Sequence, residues 1–181
     1  EGIKSAPKRI STVFGTTTTL ISRSHCRVLE ATRPQHIPGL RPSLSDWLRH
    51  TPLDFSDGTI DQASYPGVFA KGRLDGGTRL LLETIPPPKP DTRVLDYAAG
   101  SGVIALGLSR RSEALAITLV DADAISIEAA RINLPEATTH IASRLAELPD
   151  MPPFDLIVSN PPYHEGKSRS SDVIRKLIAD A

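Results

Sequence analysis

The sequence has little of several residue types, and each scarcity excludes a class of protein. A single cysteine among 181 residues, Cys26, cannot form an internal disulfide. Cys26 and the five histidines show no metal-ligand spacing, so a structural metal is not expected. No apolar run approaches the ~20 residues that a membrane-spanning helix needs, and residues 1–11 lack the apolar stretch of a secretory signal. These absences predict a soluble cytoplasmic protein without a bound metal or a membrane anchor.

Net charge is also absent, but the charges are distributed unevenly. The chain carries 21 basic and 21 acidic residues, whereas residues 1–50 hold eight basic and three acidic ones. The N-terminal segment therefore has an excess of five positive charges. Such a segment can bind a polyanion such as RNA by neutralising phosphates, and a merely solvated, arginine-rich surface is equally compatible with it.

Proline clusters suggest where the chain divides. Residues 34–52 hold four prolines and residues 86–90 hold four more, and both segments read as linkers because proline removes backbone donors. Before the first cluster, residues 16–22 and 26–31 are short β-prone runs that predict a hairpin. We therefore expect an N-terminal part at residues 1–52 and a second domain at residues 53–181.

The second part alternates between strand and helix patterns. This alternation predicts an α/β fold in which helices cover a parallel sheet. The expected strands are 93–96, 116–121, 139–143 and 155–159, and the expected helices are 103–111, 124–134 and 170–180.

A glycine-containing turn joins the first of these strands to its helix. In the segment Asp96 to Gly102, the glycines allow close approach of the backbone to a ligand, and the helix N-terminus offers free N–H groups. Asp121 follows 25 residues after Asp96, at the end of the next strand, where a carboxylate can accept both hydroxyls of a ribose. Each feature alone is more often structural, but the pair indicates a nucleotide-type ligand.

The segment Asn160-Pro161-Pro162-Tyr163-His164-Glu165-Gly166 follows the last apolar strand. Two successive prolines fix two φ angles and hold Asn160 rigidly at the carboxyl end of the sheet. Ligands of open α/β sheets bind at this edge. We therefore expect Asn160 to belong to the same site as the glycine turn.

These motifs resemble those of class I S-adenosylmethionine-dependent methyltransferases. Residues 160–163 match the N-P-P-[YF] motif for methylating planar nitrogens, and the extension to Gly166 is similar to ribosomal RNA guanine-N2 methyltransferases. Residues 66–69 and 74–82 resemble the P-G-V-F and L-D-x-G-T-x-L-L-L segments of that family. Residues 2–6 and the hairpin resemble the tail of the degenerate N-terminal domain of such doubled enzymes, so the resemblance spans nearly the whole chain.

The resemblance implies a Rossmann-like sheet, the cofactor S-adenosylmethionine and the acceptor N2 of a guanine in ribosomal RNA. The residues that it assigns to the cofactor are Asp96, Ala98, Gly100, Gly102, Asp121, Ala122, Ser143 and Asn160. The catalytic segment is Asn160, Pro161, Pro162 and Tyr163, and Phe69, Tyr163 and His164 are assigned to the substrate. In the family mechanism, the Asn160 and Pro161 carbonyl groups accept hydrogen bonds from the target amine, and Tyr163 stacks on its base.

The sequence departs from the family pattern in three places. Ala98 replaces the first glycine of D-x-G-x-G-x-G; its methyl group either crowds the cofactor or is tolerated if its φ is negative. Arg144 replaces the usual Asn or Asp and is expected to be solvated. Only 91 residues follow Pro90, enough for about four of the seven family strands, which predicts a C-terminally incomplete sheet.

Two other functions stay open at this stage. A protein glutamine-N5 methyltransferase of the release-factor type shares N-P-P-Y but lacks the H-x-G extension and the L-D-x-G-T run. A non-catalytic RNA-binding or ribosome-assembly module with a decayed cofactor loop is motivated by Ala98 and the missing strands. An NAD-dependent dehydrogenase is disfavoured because N-P-P-Y has no role in it.

Overall fold

The structure is a computed structural model and describes residues 2–24, 26–32, 39, 41–69, 73–161, 164–165, 168–169 and 171–180. It divides the chain into two compact units, residues 1–46 and 47–181. The first contains helix α1 (Gly2–Phe14) and an antiparallel hairpin of β1 (Thr17–Arg23) and β2 (Cys26–Ala31). The hairpin predicted from sequence is therefore confirmed.

Helix α1 has no counterpart among the expected elements, because Pro7 lies inside it and proline normally interrupts a helix. The helix packs against both strands of the hairpin. Ser11 Oγ donates a hydrogen bond to the Pro7 carbonyl oxygen (2.8 Å) and lies 3.0 Å from Thr17 Oγ1. Two strands alone are only marginally stable, and here α1 packs against the hairpin and supports it.

The second unit opens with a hairpin that the proline pattern concealed. Strands β3 (Arg49–Phe55) and β4 (Gly58–Ser64) pair antiparallel, and Pro52 lies opposite Asp61. The expected linker is wrong at its C-terminal end, because residues 49–52 belong to β3. The expected domain boundary after Pro52 therefore falls inside a strand. Proline is tolerated here because each strand of a two-stranded ribbon has one unpaired edge, where a missing N–H costs nothing.

From residue 93 onward the unit follows the expected alternation, whereas a helix at Gly76–Thr84 and two short strands at His164–Glu165 and Ser168–Arg169 were not expected. Its elements are α2 (Gly76–Thr84), β5 (Arg93–Tyr97), α3 (Val103–Ser109), β6 (Ala116–Asp121), α4 (Ala124–Asn133), β7 (Thr138–Ile141), β8 (Leu156–Ser159), β9 (His164–Glu165), β10 (Ser168–Arg169) and α5 (Ser171–Asp180), with short 3-10 turns at Leu44–Trp47 and Leu145–Glu147. Strands β5 to β8 form one parallel sheet in the order β7-β6-β5-β8. The α/β fold with a parallel sheet is confirmed.

The strand order places a topological switch point at β5. From β5 the chain proceeds outward through β6 and β7, and it then returns to add β8 on the other side of β5. The connections on the two sides leave a crevice beyond the carboxyl ends of β5 and β8, which is the usual ligand site of open parallel sheets.

Apolar strands and close helix contacts form the core around this switch point. Val94, Leu95, Leu119 and Val120 from the two central strands are fully buried. Helix α3 approaches α2 and β3 so closely at Gly107 that an added Cβ would lie 2.7 Å from Leu82 Cδ1. The L-D-x-G-T-x-L-L-L segment is therefore the start of a helix that packs directly over the core.

No helix in the described part of the chain is both long and apolar enough to cross a membrane.

Candidate functional site

The candidate site lies where β5, β6 and β8 end. Asp96 belongs to β5, Asp121 ends β6, and Asn160 directly follows β8. Because the three strands are adjacent and parallel, these side chains meet at one edge of the sheet. The structure thus brings the glycine turn, the strand-end acid and the start of the N-P-P-Y segment together, as the sequence predicts.

The glycine turn has three left-handed residues. Gly100 and Gly102 have φ angles of 56° and 79°, and Gly102 immediately precedes helix α3. Ala98 also has a positive φ of 56°. Of the two alternatives for Ala98, the unstrained one with a negative φ is excluded. A side chain in this region costs of order 1–2 kcal/mol, so the turn holds Ala98 in a strained conformation.

Asp121 ties the end of β6 to this turn. Its Oδ2 accepts a hydrogen bond from the Gly100 N–H, and its Oδ1 accepts one from the Asp123 N–H, both at 2.8 Å. Ala122, which lies between Asp121 and Asp123 in the sequence, is exposed. Each carboxylate oxygen keeps a second lone pair for a ligand hydroxyl. Asp121 is thus a structural clamp as well as a candidate ligand residue.

Asp96 is wholly buried beneath the turn. Its Oδ2 accepts a hydrogen bond from the Ala105 N–H at 3.1 Å, while its Oδ1 has no partner among the described residues. Burial raises the pKa of Asp96 to about 7, and the negative charge of Asp121 adds to the increase, whereas the bond from Ala105 opposes it. A buried acceptor without a partner is costly unless a ligand satisfies it.

Ser143 and Arg144 follow strand β7 and contact the chain rather than an open site. Ser143 Oγ donates to Glu147 Oε1 at 2.9 Å, and the Ser143 carbonyl accepts the Tyr97 hydroxyl at 2.8 Å. Arg144 forms two hydrogen bonds to Asp180 of α5, one of 2.8 Å and one of 3.2 Å. Arg144 is exposed, as expected, but it also forms an ion pair, which attaches α5 to the 3-10 turn at Leu145–Glu147.

Asn160 is held by its amide nitrogen. Asn160 Nδ2 donates to Asp75 Oδ2 and to Thr78 Oγ1, both at 2.9 Å. Asp75 caps the N-terminus of α2 by accepting hydrogen bonds from the Gly77 and Thr78 N–H groups. Within the described part of the chain, Asn160 Oδ1 accepts no hydrogen bond. The amide therefore presents its oxygen as the available group.

The remaining predicted residues are described only in part. Pro161 is described and half-buried, whereas Pro162 and Tyr163 lie outside the described residues. His164 begins the short strand β9, but its side chain is outside them as well. Phe69 is described and is 58% exposed, so its ring is accessible.

Two amide side chains that the sequence did not point to hold the glycine turn from the other side. Gln62 Nε2 donates to Ser101 Oγ at 2.6 Å in a buried contact. Asn133 Nδ2 donates to the carbonyl oxygens of Ser101 and Ala63, and its Oδ1 accepts the Ala63 N–H. No sequence signal marks these two residues. They couple the β3-β4 hairpin to the glycine turn.

The hydrogen-bond acceptors of this site fit a cationic nucleoside cofactor. The described residues include no group of three or more His, Cys, Asp or Glu side chains that could hold a metal ion. Asp96 Oδ1 needs a hydrogen-bond donor, and the carboxylates of Asp96 and Asp121 favour a positive charge. S-Adenosylmethionine, which the motif resemblance implies, carries an ammonium group, a sulfonium and ribose hydroxyls.

Comparisons with known proteins agree with this geometry. The profile of the family described as Methyltransferase small domain matches residues 58–181. The chain is 32% identical to Ribosomal RNA small subunit methyltransferase C of Shewanella amazonensis, over 99% of this chain and 52% of the relative. The protein of the same name from Pseudomonas entomophila is 36% identical, over 91% of this chain and 49% of the relative. The chain thus spans about half the length of the curated relatives it matches.

A solved structure supports the fold assignment. The tRNA (uracil-54, C5)-methyltransferase of Pyrococcus abyssi, in complex with S-adenosyl-L-homocysteine, matches 87% of this chain and 36% of its own, with 17% identity and a TM-score of 0.50. At this identity the match concerns the fold alone. Together with the strand order, it assigns the sheet to the Rossmann-like class I methyltransferase fold.

Proposed function

Because the chain belongs to the methyltransferase small domain family, we propose that it transfers a methyl group from S-adenosylmethionine to the exocyclic N2 of a guanine in ribosomal RNA. One observation carries this proposal: Asn160 lies at the switch point with its amide oxygen available and its nitrogen fully engaged. The names of the relatives support a ribosomal RNA acceptor. The N-P-P-Y-H-x-G resemblance supports the guanine amine.

The cofactor site is proposed at the ends of β5 and β6. The turn from Asp96 to Gly102 would hold the cofactor with its backbone, while the Asp96 and Asp121 carboxylates would accept its hydrogen-bond donors. The bound cofactor supplies an activated methyl group on a sulfonium. Ala122 and Ser143 flank this region, and their part in cofactor binding stays a prediction.

At the acceptor, the chain must make a weak nucleophile react. The guanine amine is a poor nucleophile because its lone pair is delocalised into the ring. Two acceptors would lie outside the ring plane: Asn160 Oδ1 and the Pro161 carbonyl oxygen. Each would accept a hydrogen bond from the amine, and together they would favour a tetrahedral nitrogen. The lone pair of the tetrahedral nitrogen is then no longer delocalised and points out of the ring plane. Positioning of this kind supplies up to ~7–11 kcal/mol in well-oriented systems.

Base recognition is proposed for Tyr163, Phe69 and His164. Tyr163 would stack on the target base, which must be unpaired or flipped at a cost of a few kcal/mol. The exposed ring of Phe69 and the His164 side chain would contact the substrate. The excess of five positive charges in residues 1–50 supports a phosphate-containing substrate.

The substrate assignment is tested by mapping modified nucleosides. Unmodified ribosomal RNA is incubated with the full-length protein and labelled cofactor, and its nucleosides are identified by mass spectrometry. We expect N2-methylguanosine at a defined position. A methylated glutamine in a release factor, without modified RNA, would instead identify the protein methyltransferase.

A variant of Asp121 tests the cofactor site. Asp121→Ala removes two charge-assisted hydrogen bonds to the backbone, each worth roughly 1.5–3 kcal/mol, and a candidate ribose acceptor. We expect cofactor affinity, measured by calorimetry, to fall by roughly tenfold or more.

Asp155→Ala is the matched control for this measurement. Asp155 Oδ2 also accepts a backbone hydrogen bond, from the Arg93 N–H at 2.9 Å, but at the amino end of the sheet. We expect this variant to bind the cofactor normally. Absence of binding by the wild-type protein would favour the non-catalytic RNA-binding module.

A further inference from the structure

We propose that Asp75 is a positioning residue that fixes the orientation of the Asn160 amide, so that Oδ1 and not Nδ2 faces the target amine. The inference rests on the proposed function for its role in methyl transfer. It assigns a task to the Asp of the L-D-x-G-T segment, which lies 85 residues from Asn160 in the sequence.

Both protons of the Asn160 amide are used inside the protein. One hydrogen bond goes to Asp75 Oδ2 and the other to Thr78 Oγ1, each with a donor–acceptor distance of 2.9 Å. The threonine hydroxyl can donate as well as accept, so it tolerates either orientation of the amide. The carboxylate accepts only. A flipped amide would place Asn160 Oδ1 against Asp75 Oδ2, and two acceptors at this distance repel each other.

Asp75 is itself fixed. The same Oδ2 atom accepts the N–H groups of Gly77 at 2.9 Å and Thr78 at 3.2 Å, as the N-cap of α2. Burial alone raises the pKa of Asp75, but hydrogen bonds from Asn160 and from backbone amides in the first turn of α2 outweigh it and leave the pKa below its ordinary value. The carboxylate is therefore charged at any assay pH near neutrality.

The charge on Asp75 also affects the acceptor strength of Asn160. A carboxylate beside the amide nitrogen draws positive charge to Nδ2 and increases the negative charge on Oδ1. Oδ1 then accepts a stronger hydrogen bond from the guanine amine, and this bond strengthens further as positive charge develops on the amine. Asp75 would thus act on the reaction through Asn160 without contacting the substrate.

Gly77 provides the space for this arrangement. A Cβ atom at position 77 would lie 3.1 Å from Asp75 Oδ2 and 3.2 Å from Asn160 Oδ1. The neighbouring Gly76 is in the same helical turn, but a Cβ there would meet no atom within 4 Å. The two glycines therefore form a matched pair, in which only one position crowds the amide.

Asp75→Ser separates orientation from helix capping, because serine is as good an N-cap as aspartate, whereas its hydroxyl donates as well as accepts and therefore tolerates either orientation of the Asn160 amide. We expect kcat for methylation of unmodified ribosomal RNA to fall roughly 10- to 100-fold, as for a slightly misplaced catalytic group. The KM for the cofactor and the thermal unfolding midpoint should change little. Unchanged kcat would overturn the proposal.

A second readout does not depend on the identity of the substrate. The side-chain NH2 signals of Asn160 in a 15N spectrum are identified by their absence in Asn160→Asp, and their hydrogen exchange is measured. We expect slow exchange in the wild-type protein and faster exchange in Asp75→Ser. Equal exchange would overturn the orientation claim even if no RNA acceptor is found, whereas slow exchange without RNA methylation would contradict only the proposed function.

The glycine pair provides an independent test if Asp75→Ser does not fold. Gly77→Ala and Gly76→Ala both replace a glycine by a better helix former. We expect only Gly77→Ala to lower kcat, and we expect Gly76→Ala to be at least as stable as the wild-type protein. Equal kcat values for the two variants would contradict the proposed crowding of the amide.

Discussion

Asn160→Ala is expected to lower kcat for methyl transfer by about 10²- to 10³-fold while cofactor affinity stays within about twofold, the loss typical of removing one preorganised group that acts in the transition state. The physical reason is the geometry of the amide. Its nitrogen is used by Asp75 and Thr78, and its oxygen is the acceptor for the target amine. Single-turnover kinetics and calorimetry measure the two quantities separately.

Asn133→Ala is the matched control, because the Asn133 amide also joins separate segments of the chain by hydrogen bonds. Its hydrogen bonds go to Ser101 and Ala63, so it supports the glycine turn and not the acceptor. We expect Asn133→Ala to weaken cofactor binding more than it lowers kcat at saturating cofactor. The same kinetic pattern in both variants, or near-normal turnover of Asn160→Ala, would remove Asn160 from the proposed mechanism.

The central strands could be predicted from sequence because burial determines their composition. Strands β5 and β6 are covered on both faces, so residues 94–95 and 117–120 are continuous apolar or small residues followed by an acid. Helices α3 and α4 could be predicted for the same reason, since each has one buried face. Patterns of this kind depend on local sequence, so they can be recognised without knowledge of the tertiary contacts.

Two other elements, one in each unit, could not be predicted because they contain proline. Pro7 lies inside α1 and Pro52 inside β3, and each residue normally argues against the element that contains it. Hairpin β3-β4 owes its place to tertiary bonds, such as Gln62 to Ser101 over 39 residues. A pattern within a short window carries no information about such partners.

The site was predictable by residue type but not by conformation. Asp96, Asp121 and Asn160 end or follow adjacent parallel strands, and their convergence follows from topology. The positive φ of Ala98 and the contact between Asp75 and Asn160 required the structure. Alanine is uncommon at positive φ, so local propensity points away from the observed conformation.

Asp96→Asn is expected to change the pH dependence of folding stability. Burial raises the pKa of Asp96 to about 7 in the folded protein, from an ordinary value of 3.8. Between these pH values the folded state binds a proton that the unfolded state has released. The free energy of unfolding therefore falls as pH rises from about 4 to about 7, by up to ~1.4 kcal/mol per pH unit, and levels off above.

The asparagine variant lacks this ionisation. Its amide oxygen can still accept the Ala105 N–H, while its NH2 group occupies the place of the unpartnered Oδ1. Between pH 5 and pH 8, we expect the unfolding free energy of the variant to rise relative to the wild-type protein by ~2–3 kcal/mol. Urea denaturation at a series of pH values measures this difference without any cofactor.

The titration of Asp96 can also be observed directly. In a 13C spectrum, the carboxyl signal that is missing in Asp96→Asn should titrate with a midpoint near pH 7 in the wild-type protein. A midpoint near pH 4, together with parallel stability curves for the two proteins, would show that water or a neighbouring group satisfies Oδ1. The orphaned acceptor would then no longer support a cofactor at this position, because the folded protein would already have met its hydrogen-bonding requirement.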